Sequence, residues 1–269
     1  MRILLVADVH NKPHGSRATL KKIKNAVNSL GCDLTVFLGD MVHGPAVERN
    51  YEKYLREVAD TACGKAFATV FGNHDDECCF TKKDILDVLK KYPNCKTAGC
   101  DYVVEMQGET LAFIDSGSYY NGKESFYDIV KSEQIEFIKN NIYGRKAVLF
   151  QHIIVPDIME YIDELDVPVK GAVLDSGKYY RFKPDVKYTG ALGEKPCPPD
   201  VDTGEFEALM PHLKAMCFGH DHKNSFEFTA NGVRFIQCPG SGNNSYDKFC
   251  RSKLKILDTE TLQTETVLL

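Results

Sequence analysis

Five short apolar runs in this chain each end at Asp, Asn, His or Gly, and this repeated pattern constrains the fold more than any other feature. The runs span residues 3–7, 34–38, 66–70, 147–151 and 215–218. They lead into Asp8-Val9-His10, Gly39-Asp40, Gly72-Asn73-His74-Asp75, His152 and Gly219-His220-Asp221-His222. Short apolar runs bounded by turn residues indicate buried strands. Open α/β sheets bind ligands beyond the carboxyl ends of their strands, so the pattern predicts that the five ends meet at one site.

Segments with helical periodicity separate these runs. They span residues 16–30, 47–63, 132–142 and 205–213, and Gly31, Gly64 and Gly144 provide stops after the first three. Thr81 and Asp84 resemble the two ends of a capping box, which predicts a helix that begins there and ends by Pro93. The alternation of strands with helices indicates an α/β fold.

Two hairpins and a closing strand pair are predicted in the rest of the chain. Residues 102–106 and 110–114 flank Gln107-Gly108-Glu109, and residues 226–230 and 233–237 flank Asn231-Gly232. Asn-Gly is the dipeptide most typical of a tight hairpin turn. Residues 254–257 and 264–268 are predicted to form the last pair of strands.

The chain of 269 residues is predicted to form a single domain over positions 1–269, because no linker, repeat or low-complexity stretch interrupts it. Its least regular part is residues 153–203, where six prolines break any periodicity and aromatic residues cluster between them. Long irregular insertions in compact domains are often functional, so this insertion is a candidate substrate lid. A plain surface excursion accounts for the composition nearly as well.

The overall charge and the cysteine content limit the partners and the compartment. The formal net charge is −5 and Lys and Arg are scattered, a pattern that argues against a nucleic-acid partner. No apolar run approaches the roughly 20 residues that span a bilayer, and no secretory signal precedes residue 3, so no membrane association is predicted. Ten cysteines without an export signal predict reduced thiols and a cytoplasmic location.

The residues at the strand ends have the chemistry of a metal site. Asp8 and His10 lie two positions apart, as do His220 and His222, so in an extended chain each pair points the same way. Carboxylates, an amide and imidazoles together suit divalent Mn, Fe or Zn rather than calcium. The donors are too numerous for one tetrahedral ion, which predicts two divalent ions with a bridging carboxylate. A lone strand histidine is more often a plain core or surface residue, so the prediction depends on the whole set.

These residues, in this order, resemble the calcineurin-like metallophosphoesterase superfamily, with distant similarity to its small purple-acid-phosphatase-like members. The matching blocks begin at Asp8-Val9-His10, end at Gly219-His220-Asp221-His222 and span positions 8 to 222. The resemblance implies an α+β fold of four layers, in which a central β-sandwich of mixed sheets is flanked by helices. It also implies a metal-dependent enzyme that hydrolyses a phosphomonoester or phosphodiester bond of a small phosphorylated molecule.

Carried over position by position, the resemblance assigns seven metal ligands. One ion would be held by Asp8, His10, Asp40 and His222, and the other by Asp40, Asn73, His152 and His220. A hydroxide between the two ions would attack phosphorus. His74 would serve the leaving-group oxygen as general acid, and Asp75 would orient the imidazole of His74.

The sequence departs from two branches of that superfamily. Protein serine/threonine phosphatases carry Asp-Arg-Gly where this chain has Val42-His43-Gly44, so the arginine that grips phosphate is missing. Purple acid phosphatases have a metal-binding Tyr at position 43 and usually lack a histidine at position 10. His43, His14 and Arg17 are candidate substrate-binding residues, although each is equally consistent with a plain loop residue. The loop at 240–246 is a further candidate for the rim of the pocket.

Two kinds of alternative remain open. A nuclease or a cyclic-nucleotide phosphodiesterase of the same superfamily would use the same metals, and a nuclease would also need a basic groove. A non-catalytic scaffold on this fold should have lost metal ligands, whereas this chain retains all seven.

Overall fold

Two β-sheets packed face to face form the centre of the protein. The computed structural model describes residues 1–14, 16–242 and 252–269. Within these residues the strands are β1 (Arg2–Val6), β2 (Leu34–Leu38), β3 (Phe67–Val70), β4 (Tyr102–Met106), β5 (Glu109–Phe113), β6 (Ala147–Phe150), β7 (Ile162–Leu165), β8 (Val173–Asp175), β9 (Lys178–Phe182), β10 (Tyr188–Ala191), β11 (Leu213–Phe218), β12 (Ser225–Ala230), β13 (Val233–Gln237), β14 (Lys253–Asp258) and β15 (Thr264–Leu268). The α-helices are α1 (Ser16–Ser29), α2 (Gly44–Val47), α3 (Tyr51–Ala59), α4 (Lys82–Leu89), α5 (Ser132–Ile142) and α6 (Glu205–Leu209).

Both central sheets are mixed. The first has the order β15–β14–β1–β2–β3, in which β1, β2 and β3 are parallel and β14 and β15 are antiparallel to their neighbours. The second has the order β10–β12–β13–β11–β6–β5–β4, in which β5, β6, β11 and β13 are parallel and the outer strands are antiparallel. Parallel strands end at the same edge of a sheet, so the residues after β1, β2 and β3 are neighbours.

Alternate residues of the strands face different cores. Ile3 and Leu5 of β1 belong to a buried cluster that includes Phe113 and Phe150 of the second sheet. Leu4 and Val6 of β1 face a second cluster, to which α1, α3 and α4 contribute. The other face of the second sheet packs against α5 and α6. This helix–sheet–sheet–helix arrangement confirms the predicted four-layer mixed fold.

The helices that the periodicity predicts are present, and one of them is broken. α1 and α5 follow the predicted segments closely. α4 begins with the predicted capping box, because Thr81 accepts a hydrogen bond from the Asp84 amide and the Asp84 carboxylate accepts one from the Thr81 amide. Residues 47–63 form α2, α3 and two short 3₁₀ turns instead of one helix, because the backbone of Val47 and Asn50 leaves the helical region.

The insertion at 153–203 is more regular than its composition predicts. It contains a 3₁₀ helix, Pro156–Tyr161, and the small antiparallel sheet β7–β9–β8, and it adds β10 to the edge of the second sheet. Sequence periodicity misses these strands because each has only three to five residues. Tyr180 and Phe182 are buried, and the ring of Phe182 contacts Phe226 of β12 at 5.0 Å between centroids. These contacts fix the middle of the insertion to the core.

No helix within the described residues is both long enough and apolar enough to cross a bilayer. Nine of the cysteines fall within the described residues, and none of these nine forms a disulfide bond with another.

Candidate metal centre

Four of the predicted ligands meet in one buried cluster. Asp8, His10, Asp40 and His222 each offer one oxygen or nitrogen atom, and these atoms lie within 4.8 Å of one another. Nε2 of His10 is 3.1 Å from Nε2 of His222 and 3.4 Å from Oδ2 of Asp40. Nε2 of His222 is 3.3 Å from Oδ1 of Asp8. Ligand atoms with bonds of about 2.1 Å to one ion lie roughly 3.0–3.4 Å apart, so the cluster has the dimensions of a metal site.

Asn73 and His152 extend this cluster on another side of Asp40. Nε2 of His152 is 3.4 Å from Oδ2 of Asp40 and 3.3 Å from Oδ1 of Asn73. Nδ1 of His152 donates to the carbonyl oxygen of Leu38 at 2.6 Å, which directs Nε2 toward the carboxylate. The ring of His220 lies 5.2 Å from the ring of His152. Asp40 therefore contacts a histidine from each of the two predicted ligand sets.

The backbone at these strand ends is left-handed at several ligands. Asp8, His10, Asp40 and His220 have φ angles of 53°, 45°, 49° and 70°. Such angles are uncommon outside glycine and cluster at functional sites, because the surrounding packing must compensate for the strain. Asp8 and His10 therefore reach one centre through a turn beyond β1, and not through the strand alternation that their spacing predicts. At Gly39, with φ of 83°, a Cβ atom would overlap the ring of His152.

Burial and mutual charge set the protonation states of the cluster. Burial lowers the pKa of His10 and of His220 to about 3, so both imidazoles are neutral at neutral pH. Burial disfavours charge on Asp40 and His152 as well, but their mutual attraction outweighs it. The pKa of Asp40 is held well below its ordinary value, and the pKa of His152 is raised to about 10.

The donor set fits divalent metal ions. Ionised carboxylates, neutral imidazoles and an amide oxygen are the ligands that Mn, Fe and Zn accept. His10 and His220 are already neutral, as metal binding requires. The raised pKa of His152 next to Asp40 favours its protonated form, and an ion that binds Nε2 must take the place of that proton.

His74 lies beside the cluster, and its acidic partner is Glu77. The ring of His74 is 5.2 Å from the ring of His10, and Nδ1 of His74 forms a hydrogen bond with Oε2 of Glu77. The carboxylate of Asp75 instead accepts hydrogen bonds from the backbone N–H groups of Gly72 and Val42, at 2.9 and 3.2 Å. In this structure the carboxylate that contacts Nδ1 of His74 is therefore that of Glu77, and the carboxylate of Asp75 is directed into the interior by the turn after Gly72. There, burial and the charge of Asp40 raise the pKa of Asp75 to about 7.

The three candidate substrate-binding residues lie in two different places. The ring of His43 is 5.7 Å from the ring of His10 and 5.4 Å from the ring of His74, so it belongs to the site. His14 and Arg17 line a separate cavity of about 650 Å³ beside α1 and α3. The structure does not bring these two residues to the metal cluster, which removes the support for their predicted role.

A cavity of about 330 Å³ opens over the cluster. Asp40, Asn73, His74, His220 and His222 form its floor. Its walls include aromatic and polar residues that the sequence did not single out, namely Tyr119, Phe126, Tyr127, Glu194 and Cys197. Gly240 and Gly242 of the predicted rim loop also line it, whereas positions 243–246 of that loop lie outside the described residues.

The aromatic wall residues lie on a short arm between β5 and α5. Tyr119 and Tyr127 form an isolated antiparallel bridge, and Nδ2 of Asn73 donates to the hydroxyl of Tyr119 at 3.1 Å. The ring of Tyr127 packs edge-on against His220 with 4.5 Å between centroids. The only sequence signal for this arm is a concentration of Tyr and Phe at positions 119–127, and no periodicity or motif marks it.

Similarity to known proteins extends over most of the chain. A family model described as calcineurin-like phosphoesterase matches residues 1–224. The chain is 23% identical over 263 residues to "Probable inactive purple acid phosphatase 14" of Arabidopsis thaliana, a match that covers 85% of this chain and 63% of the plant protein. The chain therefore spans less than two thirds of that relative.

Two solved structures share the fold at low sequence identity. The protein TT1561 of Thermus thermophilus superposes with a TM-score of 0.61 at 11% identity, over 99% of this chain and 98% of its own. A dimetal phosphatase from Danio rerio superposes with a TM-score of 0.60 at 13% identity, over 100% of this chain and 98% of its own.

Proposed function

The chain belongs to the calcineurin-like phosphoesterase family, and from this premise we propose that it is a dinuclear metal-dependent hydrolase of small-molecule phosphate esters. The observation that carries the proposal is the position of Asp40, whose Oδ2 lies 3.4 Å from Nε2 of His10 and 3.4 Å from Nε2 of His152. A carboxylate that faces both ligand sets supports a proposed bridge between two ions. The dimetal phosphatase from Danio rerio has the same fold and supports this proposal by analogy.

The seven ligands would divide as the family pattern implies. Asp8, His10, Asp40 and His222 would hold one ion, and Asp40, Asn73, His152 and His220 would hold the other. Divalent Mn, Fe or Zn ions bound there would supply positive charge for the phosphoryl oxygens and lower the pKa of an attacking water. The carboxylates of Asp8 and Asp40 contribute only two negative charges, so two divalent ions leave the floor of the cavity positive and attractive to an anion.

The general acid of the proposed reaction would be His74. Its ring borders the cavity, and its Nδ1 is held by the carboxylate of Glu77. With the ring oriented by Glu77, His74 would donate a proton from Nε2 to the leaving-group oxygen. His43, whose ring is near both His10 and His74, would contact a non-bridging phosphoryl oxygen.

The end of the insertion would form one wall of the substrate site. Glu194 and Cys197 line the cavity, whereas Phe182 anchors the middle of the insertion in the core. We therefore limit the proposed lid to the region around 194–200 and treat positions 1–269 as one catalytic unit.

A non-catalytic role is the second candidate, because the name of the Arabidopsis thaliana relative includes the words "probable inactive". All seven proposed ligands and His74 are present in this chain, which favours the enzyme. A scaffold would not need a left-handed backbone at four ligand positions.

Hydrolysis assays with metal analysis test the proposal. The purified protein is loaded with Mn²⁺, its metal content is measured, and p-nitrophenyl phosphate and bis-p-nitrophenyl phosphate are offered separately. The proposal expects two ions per chain and turnover of at least one ester, and the ratio of the two rates distinguishes monoesterase from diesterase activity. Two bound ions with no turnover of either ester would instead favour the non-catalytic role.

A further inference from the structure

A second cavity, of about 420 Å³, adjoins the one over the metal cluster. Phe126, Tyr127 and Cys197 line both cavities, so they connect the two spaces. The outer cavity is largely apolar, and the remaining wall includes Pro196, Pro198 and Pro199. A phosphate ester seated over the metals would therefore direct its alcohol portion along an aromatic and proline-lined channel.

The aromatic residues of the arm form a platform of edge-to-face ring contacts, in which each ring stands nearly perpendicular to the next. Starting from the metal cluster, His220 contacts Tyr127, and Tyr127 contacts Phe126 with 5.0 Å between ring centroids. Phe126 is 65% exposed at the outer end of this series. An isolated exposed phenylalanine needs no explanation, but one that continues a chain of ring contacts out of a metal-binding cavity presents a π face to a ligand.

The platform is held rigidly against the opposite wall. The backbone N–H of Phe126 donates to the carboxylate of Asp200 at 2.9 Å, and the backbone N–H of Asp200 donates to the hydroxyl of Ser125 at 2.9 Å. The base of the arm is tied by the hydroxyl of Ser118, which donates to Asp76 at 2.6 Å. These bonds fix the width of the channel before a ligand enters, which reduces the ordering cost of binding.

We propose that Phe126, Tyr127 and the prolines 196, 198 and 199 form a subsite that stacks the base of a mononucleotide-type substrate. The proposal rests on the proposed function, since it names the substrate class of that same site. A flat ring with a π face on each side suits a channel bounded by aromatic and proline rings, and stacking tolerates any of the bases. Lys195 also lines the outer cavity, and its Nζ lies 5.6 Å from the centroid of the Tyr180 ring.

The test compares two ligands that differ only in the base. AMP and ribose 5-phosphate carry the same phosphate on the same ribose oxygen, so a difference between them reports the base. Dissociation constants are measured by calorimetry with the Mn²⁺-loaded protein, and kcat/KM is measured for both esters. Stacking of one base predicts that AMP binds about tenfold more tightly or better, and that any gain in kcat/KM lies mainly in KM.

Two matched variants test whether the preference for AMP over ribose 5-phosphate depends on the aromatic arm. In Phe126→Ala the ratio of AMP to ribose 5-phosphate affinity should fall toward one. In Phe137→Ala, which removes a half-exposed phenylalanine from α5, the ratio should stay at the wild-type value. Equal affinity of the wild-type protein for the two ligands, or an unchanged ratio in Phe126→Ala, would overturn the subsite.

The two proposals fail in different ways. If AMP binds preferentially through Phe126 but neither ester is hydrolysed, the base-stacking subsite is supported and hydrolysis of phosphomonoesters at this site is contradicted. If both esters bind with equal affinity and are hydrolysed with equal efficiency, the hydrolase function is supported and the base-stacking subsite is contradicted.

Discussion

The side-chain amide of Asn73 donates from Nδ2 to the hydroxyl of Tyr119 at 3.1 Å, and its Oδ1 lies 3.3 Å from Nε2 of His152. This hydrogen bond orients the amide so that its oxygen, the better metal ligand, faces the cluster. Tyr119 thereby links the aromatic arm to the proposed metal centre.

Removal of the Tyr119 hydroxyl should weaken metal binding. In Tyr119→Phe the Asn73 amide loses the acceptor that orients it, and loss of such an outer contact typically costs about 10-fold to 100-fold in metal affinity or activity. Activity measured as a function of Mn²⁺ concentration should shift to higher concentration by that factor. Tyr120→Phe, at the neighbouring position, is the control, and an identical Mn²⁺ dependence in both variants would contradict the role of Tyr119.

Asp40 and His74 should have separable roles. Asp40→Asn replaces the carboxylate that faces both ligand sets by a neutral amide. Metal content should therefore fall below two ions per chain, and activity should be lost. His74→Asn should retain both ions and lose about 10²-fold to 10⁴-fold in rate, the usual contribution of a general acid. Elemental analysis and the hydrolysis rate of p-nitrophenyl phosphate distinguish the two. Loss of metal in both variants would show that His74 is not the acid.

Loss of the Glu77 carboxylate should lower the hydrolysis rate most for esters with poor leaving groups. Glu77→Gln removes the carboxylate that holds Nδ1 of His74, so proton donation should weaken while the metals remain bound. The rate should drop about tenfold with an alkyl phosphate and less with p-nitrophenyl phosphate, whose leaving group needs little protonation. A purely structural role would lower both rates equally. Glu133→Gln, at an exposed position of α5, serves as the control.

Stability should decrease toward alkaline pH because of Glu205. Burial and the charges of Asp157 and Asp202 raise its pKa from 4.5 to about 8. Between these values the folded protein binds a proton that the unfolded chain has released, so the free energy of unfolding falls as pH rises. Glu205→Gln should remove this dependence and raise the melting temperature by several degrees at about pH 8.5 relative to wild type. Glu207→Gln changes an exposed residue of the same helix and should leave the pH dependence of stability unchanged. Equal pH profiles of stability for wild type and Glu205→Gln would show that Glu205 is not the group responsible.

Metal should stabilise the fold. Ions that bind only the folded protein raise the melting temperature, by about 5 °C or more for a protein of this size at a hundredfold excess over the dissociation constant. Scanning calorimetry with a chelator and then with added Mn²⁺ should show this shift. Asp8→Asn should reduce it, because Asp8 lies within the cluster. A melting temperature that does not respond to Mn²⁺ in the wild-type protein would contradict the metal centre.

Much of the fold follows from local patterns in the sequence. The five apolar runs are strands, the Asn231-Gly232 turn joins β12 and β13, and the Thr81–Asp84 capping box begins α4. Each of these depends on residues that are neighbours in the chain, so local preference and tertiary packing agree. The insertion escaped prediction because its strands are too short to show a period and gain their stability from contacts such as Phe182 with Phe226.

The sequence by itself determined which residues could bind metal, since the spacing and chemical type of Asp8, His10, Asp40 and their counterparts mark the ends of buried strands. Only the tertiary structure decided which groups surround that centre. Glu77 replaces Asp75 as the partner of His74, and Tyr119 and Tyr127 reach the ligands from a separate arm. The physical reason is that strand ends are fixed by local burial patterns and sheet pairing, whereas turns and arms take their direction from packing between distant parts of the chain.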